Sequence, residues 1–284
     1  MKKCRVIGLF AAVCLLSGSL LSGCGSKVTA ESLMEDAQKN VQKAESFDGD
    51  LAVEMNMGID EGALSMGIGL NAEMDMQVIS DPVAYHMAGT VGIDLLDMKF
   101  DMEMYGRETD GEVETYLNAG EGWQKSTAQE SDADTGDVVD LGISLMDASN
   151  YELQDETEMF HDQEAYVITA KLEGDDFADM WEELQGTLSA AEELTDDVSL
   201  DLTGLTADIT YYIYKDTKLP ASIMLTVEGE DAVLTEVDGI GIMLQEMTFT
   251  MNFYEFDNVD EIVIPQEALD APEEDAAATD SLTL

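Results

Sequence analysis

From Leu51 onward the chain alternates apolar and polar residues with a period of two, which sends successive side chains to opposite faces of a strand. Leu51, Val53, Met55, Met57 and Ile59 make the first apolar row, and GIDEG (58–62) turns the chain. The second row is longer: Leu64, Met66, Ile68, Leu70, Ala72, Met74, Met76 and Val78. Between its members stand only Ser65, Gly67, Gly69, Asn71, Glu73, Asp75 and Gln77, so one face is wholly apolar and the other polar or bare. Ser80-Asp81-Pro82 is a turn signal. Tyr85, Met87, Gly89, Val91 and Ile93 predict a third strand, and Met98, Phe100, Met102 and Met104 a fourth. Thr109-Asp110-Gly111 reads as a hairpin turn into a fifth strand over 112–118, and Gly120-Glu121-Gly122 leads to a short sixth over 123–126. Consecutive strands with such short connections predict antiparallel pairing.

The pattern changes to helical spacing in a few places. Ser32 and Glu35 fit a capping box ahead of Leu33, Ala37, Val41 and Ala44, with Phe47 near the end and Asp48-Gly49-Asp50 as the stop. Residues 127–137 are polar and read as a loop, and 138–148 as a helix. Residues 151–159 and 165–173 predict another hairpin. Asp175 or Asp176 can cap a helix whose apolar positions are Phe177, Met180, Trp181, Leu184, Leu188, Ala191 and Leu194. Strands follow over 207–215, 221–228 and 245–257, and 262–265 closes the domain. No shift in composition marks a second domain. The expected class is α+β: one curved antiparallel sheet, an unclosed half-barrel, with helices packed on its concave face. The domain occupies 31–268, and the Ala-, Asp- and Glu-rich tail 269–284 reads as disordered.

Charge narrows the partners. Twelve basic residues face 62 acidic ones, a formal net charge of −50, while 45% of the chain is hydrophobic. The chain can bury a core, but it lacks the basic surface that phosphate contacts require, which excludes nucleic acid and disfavours a basic patch on anionic lipid headgroups. The charge itself reads as a solvated surface that keeps a monomer in solution.

The N-terminus changes the picture most. Lys2, Lys3 and Arg5 precede an apolar run over 6–16 that is too short to span a bilayer comfortably. Leu21-Ser22-Gly23-Cys24 then resembles the bacterial lipobox. That resemblance implies a signal peptide over 1–23, removed by cleavage before Cys24, and a diacylglycerol on the Cys24 thiol. Residues 24–30 become a short lipidated tether, and the cell membrane, on its extracytoplasmic face, becomes the first partner. Cys4 and Cys14 leave with the signal. The mature chain then has no disulfide, cysteine nucleophile or thiolate metal site.

Candidate chemistry is sparse. His86 falls on the polar side of the third strand and His161 in a turn, with no second histidine or cysteine at ligand spacing. There is no G-x-S-x-G elbow, no Gly-rich phosphate loop ending in Lys, and no Ca²⁺ loop. The chain reads as a non-enzyme without cofactor or metal. What stands out is 18 methionines, most of them on apolar strand faces. They are either plain core or an adaptable surface for apolar ligands, since Met is unbranched, polarizable and repacks around different shapes. If a cavity exists between sheet and helices, its lining falls to Met55, Met57, Met66, Met74, Met76, Met87, Met102 and Met104. Tyr211, Tyr212 and Tyr214, with Phe249, Phe253, Tyr254 and Phe256, either pack the sheet against a helix or rim a pocket mouth.

Several stretches together resemble a known superfamily. They are the lipobox, the opening helix SLMEDAQKNVQKAESF (32–47) and the meander after it. Two later segments complete the likeness: ITYYIYKDTKLPASIMLTV (209–227) and MTFTMNFYEFDNVDEIVIPQEA (247–268). This looks like the LolA/LolB-like and LppX/LprG-like bacterial lipoproteins, nearest to uncharacterised Gram-positive members of that fold. The resemblance covers residues 30–268. It implies an unclosed barrel plugged by helices and, in some members, a cavity that holds acyl chains of lipids or lipoproteins. No individual binding residue comes with it. The expected function is a membrane-anchored lipoprotein binding an apolar ligand, first of all an acyl chain. The alternative is a cell-surface interaction or scaffold lipoprotein with a fully packed core.

Overall fold

The computed structural model describes residues 28–60, 65–109, 111–120, 122–129, 151–174, 177, 204–237 and 240–272. The first helix, α1 (Ala30–Val41), starts from Thr29 rather than Ser32. The Thr29 hydroxyl accepts from the Ser32 backbone N–H at 3.2 Å, and Ser32 Oγ accepts from the Thr29 N–H at 3.0 Å, so the two side chains satisfy each other's orphan donors. Glu35 is thereby released to pair with Lys39, four residues on, at 2.8 Å. Ala30, Leu33, Met34, Ala37 and Val41 form the buried stripe.

Asp48-Gly49-Asp50 does not end a helix, as the sequence pattern predicts. It lies inside the first strand, where a shift of register against the last strand falls between Asp48 and Gly49. A Cβ at Gly49 would overlap the carbonyl of Asn252, so the glycine serves a close backbone approach at a bulge.

Among the described residues twelve strands follow the helix: β1 (Ser46–Asp60), β2 (Ser65–Ser80), β3 (Val83–Ile93), β4 (Met98–Thr109), β5 (Glu112–Asn118), β6 (Trp123–Gln129), β7 (Glu152–Leu153), β8 (Glu158–Phe160), β9 (Gln163–Glu173), β10 (Leu205–Tyr214), β11 (Pro220–Val237) and β12 (Ile240–Phe256). They form one antiparallel sheet in the order β6-β5-β4-β3-β2-β1-β12-β11-β10-β9-β7, with β8 also on β9. The sheet is curved and open: β6 and β7 end it without pairing to each other among the described residues. The meander β1 to β6 stands where the alternation placed it. The expected strand over 151–159 is two short strands, β7 and β8, that both pair with β9. The hairpin β11–β12 runs past the expected limits, because register shifts between Glu228 and Ala232 and between Val233 and Thr235 absorb the irregular residues without ending the pairing.

Two clusters sit on opposite faces. The larger joins the α1 stripe to Phe47, Met76, Val78, Ile168, Ile209, Tyr211, Ile223, Met251 and Phe253, with Phe177 fully buried among them. The smaller holds Tyr105, Tyr116 and Ala268, with Trp123, Ile262, Ile264 and Leu269 against it. It forms because the chain after β12 crosses to the polar side of the sheet. The Asp257 N–H donates to the Ser46 carbonyl (2.8 Å), the Val259 N–H to Ser46 Oγ (3.0 Å), and the Lys125 N–H to the Pro272 carbonyl (3.2 Å). The short helix α2 (Gln266–Leu269) lies on this strap. Helices therefore pack on both sides of the sheet: α1 joins the larger cluster, and α2 covers aromatic residues that strand parity points to the opposite side. The expected loop over 127–137 begins later, because residues 127–129 pair with β5 as the end of β6. The rest of that loop, the expected helices over 138–148 and 178–194, the signal and Cys24, and the tail beyond 272 lie outside the described residues.

Candidate ligand-binding face

Antiparallel partners share a face, so the register converts the sequence rows into a surface. One row crosses eight strands: Ile168, Tyr211, Ile223, Met251, Leu51, Met74, Gly89 and Met102. The next, toward the end of the strands where β1 begins, includes Met76, Met87, Met104 and Leu117. On the other side run Phe249, Val53, Ala72, Val91 and Phe100, then Met247, Met55, Leu70, Ile93 and Met98. All eight singled-out methionines share this face: six stand in these rows, and Met57, opposite Ile68, and Met66, opposite Ile59, continue the same parity along β1 and β2.

Their burial is graded. Met76 (2% exposed) belongs to the core, and Met74 is buried beside it. Met55 and Met87 are half-buried and packed against that core, Met57, Met102 and Met104 are half-buried, and Met66 is 51% exposed. The structure thus brings the eight onto one surface but seals two of them inside it.

Within the face, Tyr85 lies over Gly106, and its hydroxyl pairs with Thr115 Oγ1 at 2.9 Å. Burial raises the Tyr85 pKa. Tyr211 is fully buried, with the Tyr151 ring edge-on to it at 5.6 Å, and its hydroxyl finds no hydrogen bond of good geometry among the described residues. Burial, foremost, pushes that hydroxyl's pKa well above its ordinary value, and Tyr151 beside it adds to the effect. Two solvent-open depressions, of 440 and 470 Å³, are lined mainly from the polar side. The first gathers Asp50, Glu73, Asp75, Thr90 and Lys99 around Gly89; the second gathers Thr206, Glu228, Gln245 and Glu246.

The polar side carries a network that the sequence pattern did not reveal. Glu114 accepts from Lys125 Nζ (2.6 Å), from Arg107 Nε (2.8 Å) and from the Tyr116 hydroxyl (3.0 Å). The Lys125 ammonium first, then Arg107 and Tyr116, hold the Glu114 carboxyl down at about 2, against burial, which pushes it up. The legible signal was the scarcity of cations: two of the chain's 12 basic residues meet at one carboxylate. Nearby, His86 stacks on Tyr105 at 4.3 Å with its Nε2 3.2 Å from Glu103. Burial, then Glu103, pushes the Tyr105 hydroxyl up to about 12. His161 occupies a turn at φ 45° beside Phe160 and Tyr254. Tyr212 and Tyr214 are drawn to the same turn through Phe160, and not toward the apolar face. Among the described residues no three His, Cys, Asp or Glu side chains gather as a metal site.

Among the described residues, fold and surface together define an open antiparallel sheet that offers an extended apolar face. The chain belongs to a family of unknown function, DUF6612, whose model matches residues 29–273. No curated protein matches it. Among solved structures it is similar to a DUF1329 family protein from Desulfovibrio piger, at 11% identity over 80% of this chain and 92% of that one, with a TM-score of 0.21. It is similar also to a putative outer membrane lipoprotein-sorting protein domain from Vibrio parahaemolyticus (12%, 82% and 95%, TM-score 0.22). A LolA superfamily protein from Nitrosomonas europaea gives 13%, 84% and 96%, with a TM-score of 0.20. None superposes closely enough to transfer a fold or a function to this chain. No described helix is long and apolar enough to cross a membrane.

Proposed function

We propose that the chain is an extracytoplasmic lipoprotein, held to the membrane through diacylglycerol on Cys24, whose methionine-rich sheet face binds an apolar ligand, first of all an acyl chain. No bond is made or broken. One observation carries the reading: the apolar rows continue without a polar break from the sealed core at Met76 and Met251 to half-buried Met55, Met57, Met102 and Met104. A face made only to be core has no need to extend past its cover. Each methylene transferred onto it contributes on the order of 0.8 kcal/mol, and methionine accepts chains of different shape without a fixed socket.

A second reading, a surface scaffold with a packed core, draws support from the burial of Met74 and Met76. Native mass spectrometry of the chain from Gly25 onward, followed by solvent extraction, separates the two. A bound species in the lipid mass range, displaced when Met57 and Met102 are both replaced by Gln, is the expected result. An empty protein that takes up no fatty acid on titration overturns the ligand reading and leaves the scaffold.

A further inference from the structure

Five of the large apolar side chains exposed by the described residues gather at one end of the sheet: Met66 (51%), Leu95 (49%), Leu96 (58%), Met98 (41%) and Phe100 (39%). Met98 opposes Ile93, which opposes Leu70, and Phe100 opposes Val91, so Met98 and Phe100 continue the apolar rows to their outer limit. Leu95 and Leu96 belong to the 3-10 turn (Asp94–Leu96) between β3 and β4. That turn is fixed. The Asp97 N–H donates to the Asp94 carbonyl at 3.1 Å, and Asp97 itself closes the turn in the left-handed region at φ 48°. Asn71 Nδ2 donates to Asp94 Oδ1 at 3.0 Å and ties that carboxylate to β2. The two leucines are left as the outward residues of a rigid tip. Clustered apolar exposure of this kind marks an interaction surface.

We propose that this tip seats in the headgroup layer of a lipid bilayer. The inference rests on the anchor reading above. Only Gly25 to Lys27 separate Cys24 from the first described residue, Val28. At about 3.3–3.6 Å per extended residue, the domain starts within roughly 20 Å of the bilayer. Asp94, Asp97 and Asp101 stand around the tip with Lys99 as the only cation in that segment, so the contact is apolar and matches a zwitterionic surface, not an anionic one. From the tip, Met98, Ile93, Leu70, Met55 and Met247 lead in one cross-strand row toward the core, a path along which an acyl chain stays on apolar surface throughout.

The test is flotation of the chain from Gly25 onward, without anchor, on phosphatidylcholine vesicles. The expected result is a vesicle-bound fraction that high salt does not remove, and a loss of partitioning of about tenfold or more in Leu95→Asp/Leu96→Asp. Both side chains are exposed, so the melting temperature should hold; Leu95→Ser/Leu96→Ser serves if the acidic pair fails to fold. Absence of the unmodified chain from the floated fraction overturns the proposal. So does equal flotation of the variants, binding that needs anionic lipid and disappears in salt, or a dimer in light scattering that Leu96→Asp splits. Failure of the ligand reading is separate, being seen as an empty native spectrum. Failure of the anchor reading is separate too, being seen as an unmodified N-terminal mass in the cell-expressed protein.

Discussion

Replacing Gly106 by alanine should destabilise the protein, although the same change in an open strand would favour it. The cause is Tyr85, whose ring occupies the space a Cβ would need. To make room the ring must tilt, which strains a packed face at about 1–3 kcal/mol. Tilting also breaks the 2.9 Å bond to Thr115, for about 1 kcal/mol more. Removing glycine's extra freedom in the unfolded chain returns about 0.5–1 kcal/mol. The net is a loss of about 2 kcal/mol, read as a fall in melting temperature of about 4–8 °C for a chain of this size. The decisive measurement is a double-mutant cycle by urea denaturation. In a Tyr85→Ala background the obstacle is gone, so Gly106→Ala should be neutral or stabilising by up to about 1 kcal/mol. Equal losses in both backgrounds would refute the assignment of the glycine to Tyr85.

Two further outcomes follow from the buried polar groups. Glu114 has a folded pKa of about 2, below the ordinary carboxyl value of 4.5, so the stabilisation it brings is present above pH 4.5 and is lost as pH falls toward 2. After screening through the partly exposed Arg107 this amounts to roughly 1–2 kcal/mol; Glu114→Gln should cost that much at pH 7 and almost nothing near pH 2, and an unchanged gap in acid denaturation curves would contradict it. Tyr211→Phe removes a buried hydroxyl that finds no hydrogen bond of good geometry among the described residues, so urea denaturation should show a change within about 1 kcal/mol or a gain; a loss above about 2 kcal/mol would contradict this.

The meander was legible because alternation there is nearly perfect and a one-residue slip would turn the whole row at Leu70, Met74 and Met76 to the polar side. The helix start was displaced because Thr29 and Ser32 both bear capping hydroxyls, and only the three-dimensional exchange between them decides which is the cap. Gly49 was misread since a glycine between two aspartates carries a turn signature, while its use as a bulge depends on Asn252, a distant partner. The strap was half legible: Ile262 and Ile264 alternate like a strand, yet they pack on Tyr105 and Tyr116 across the sheet and form no ladder. That the methionines share one face follows from the alternation alone. How deeply each methionine lies does not, because depth depends on what α1 covers, and Met66 and Met76 have the same local pattern.

The seam between β1 and β12 also decides when this molecule can exist. Phe47 meets Phe256 and Leu51 meets Met251, residues about two hundred positions apart. Joining them carries a large loop-closure cost and puts the central pairing late in folding. Until β12 emerges, β1 presents a long bare edge in the middle of the future sheet, a template for association with other chains. The acidity of the polar side is then protective in time as well as in place, since like charge keeps half-made sheets apart while the last strand arrives.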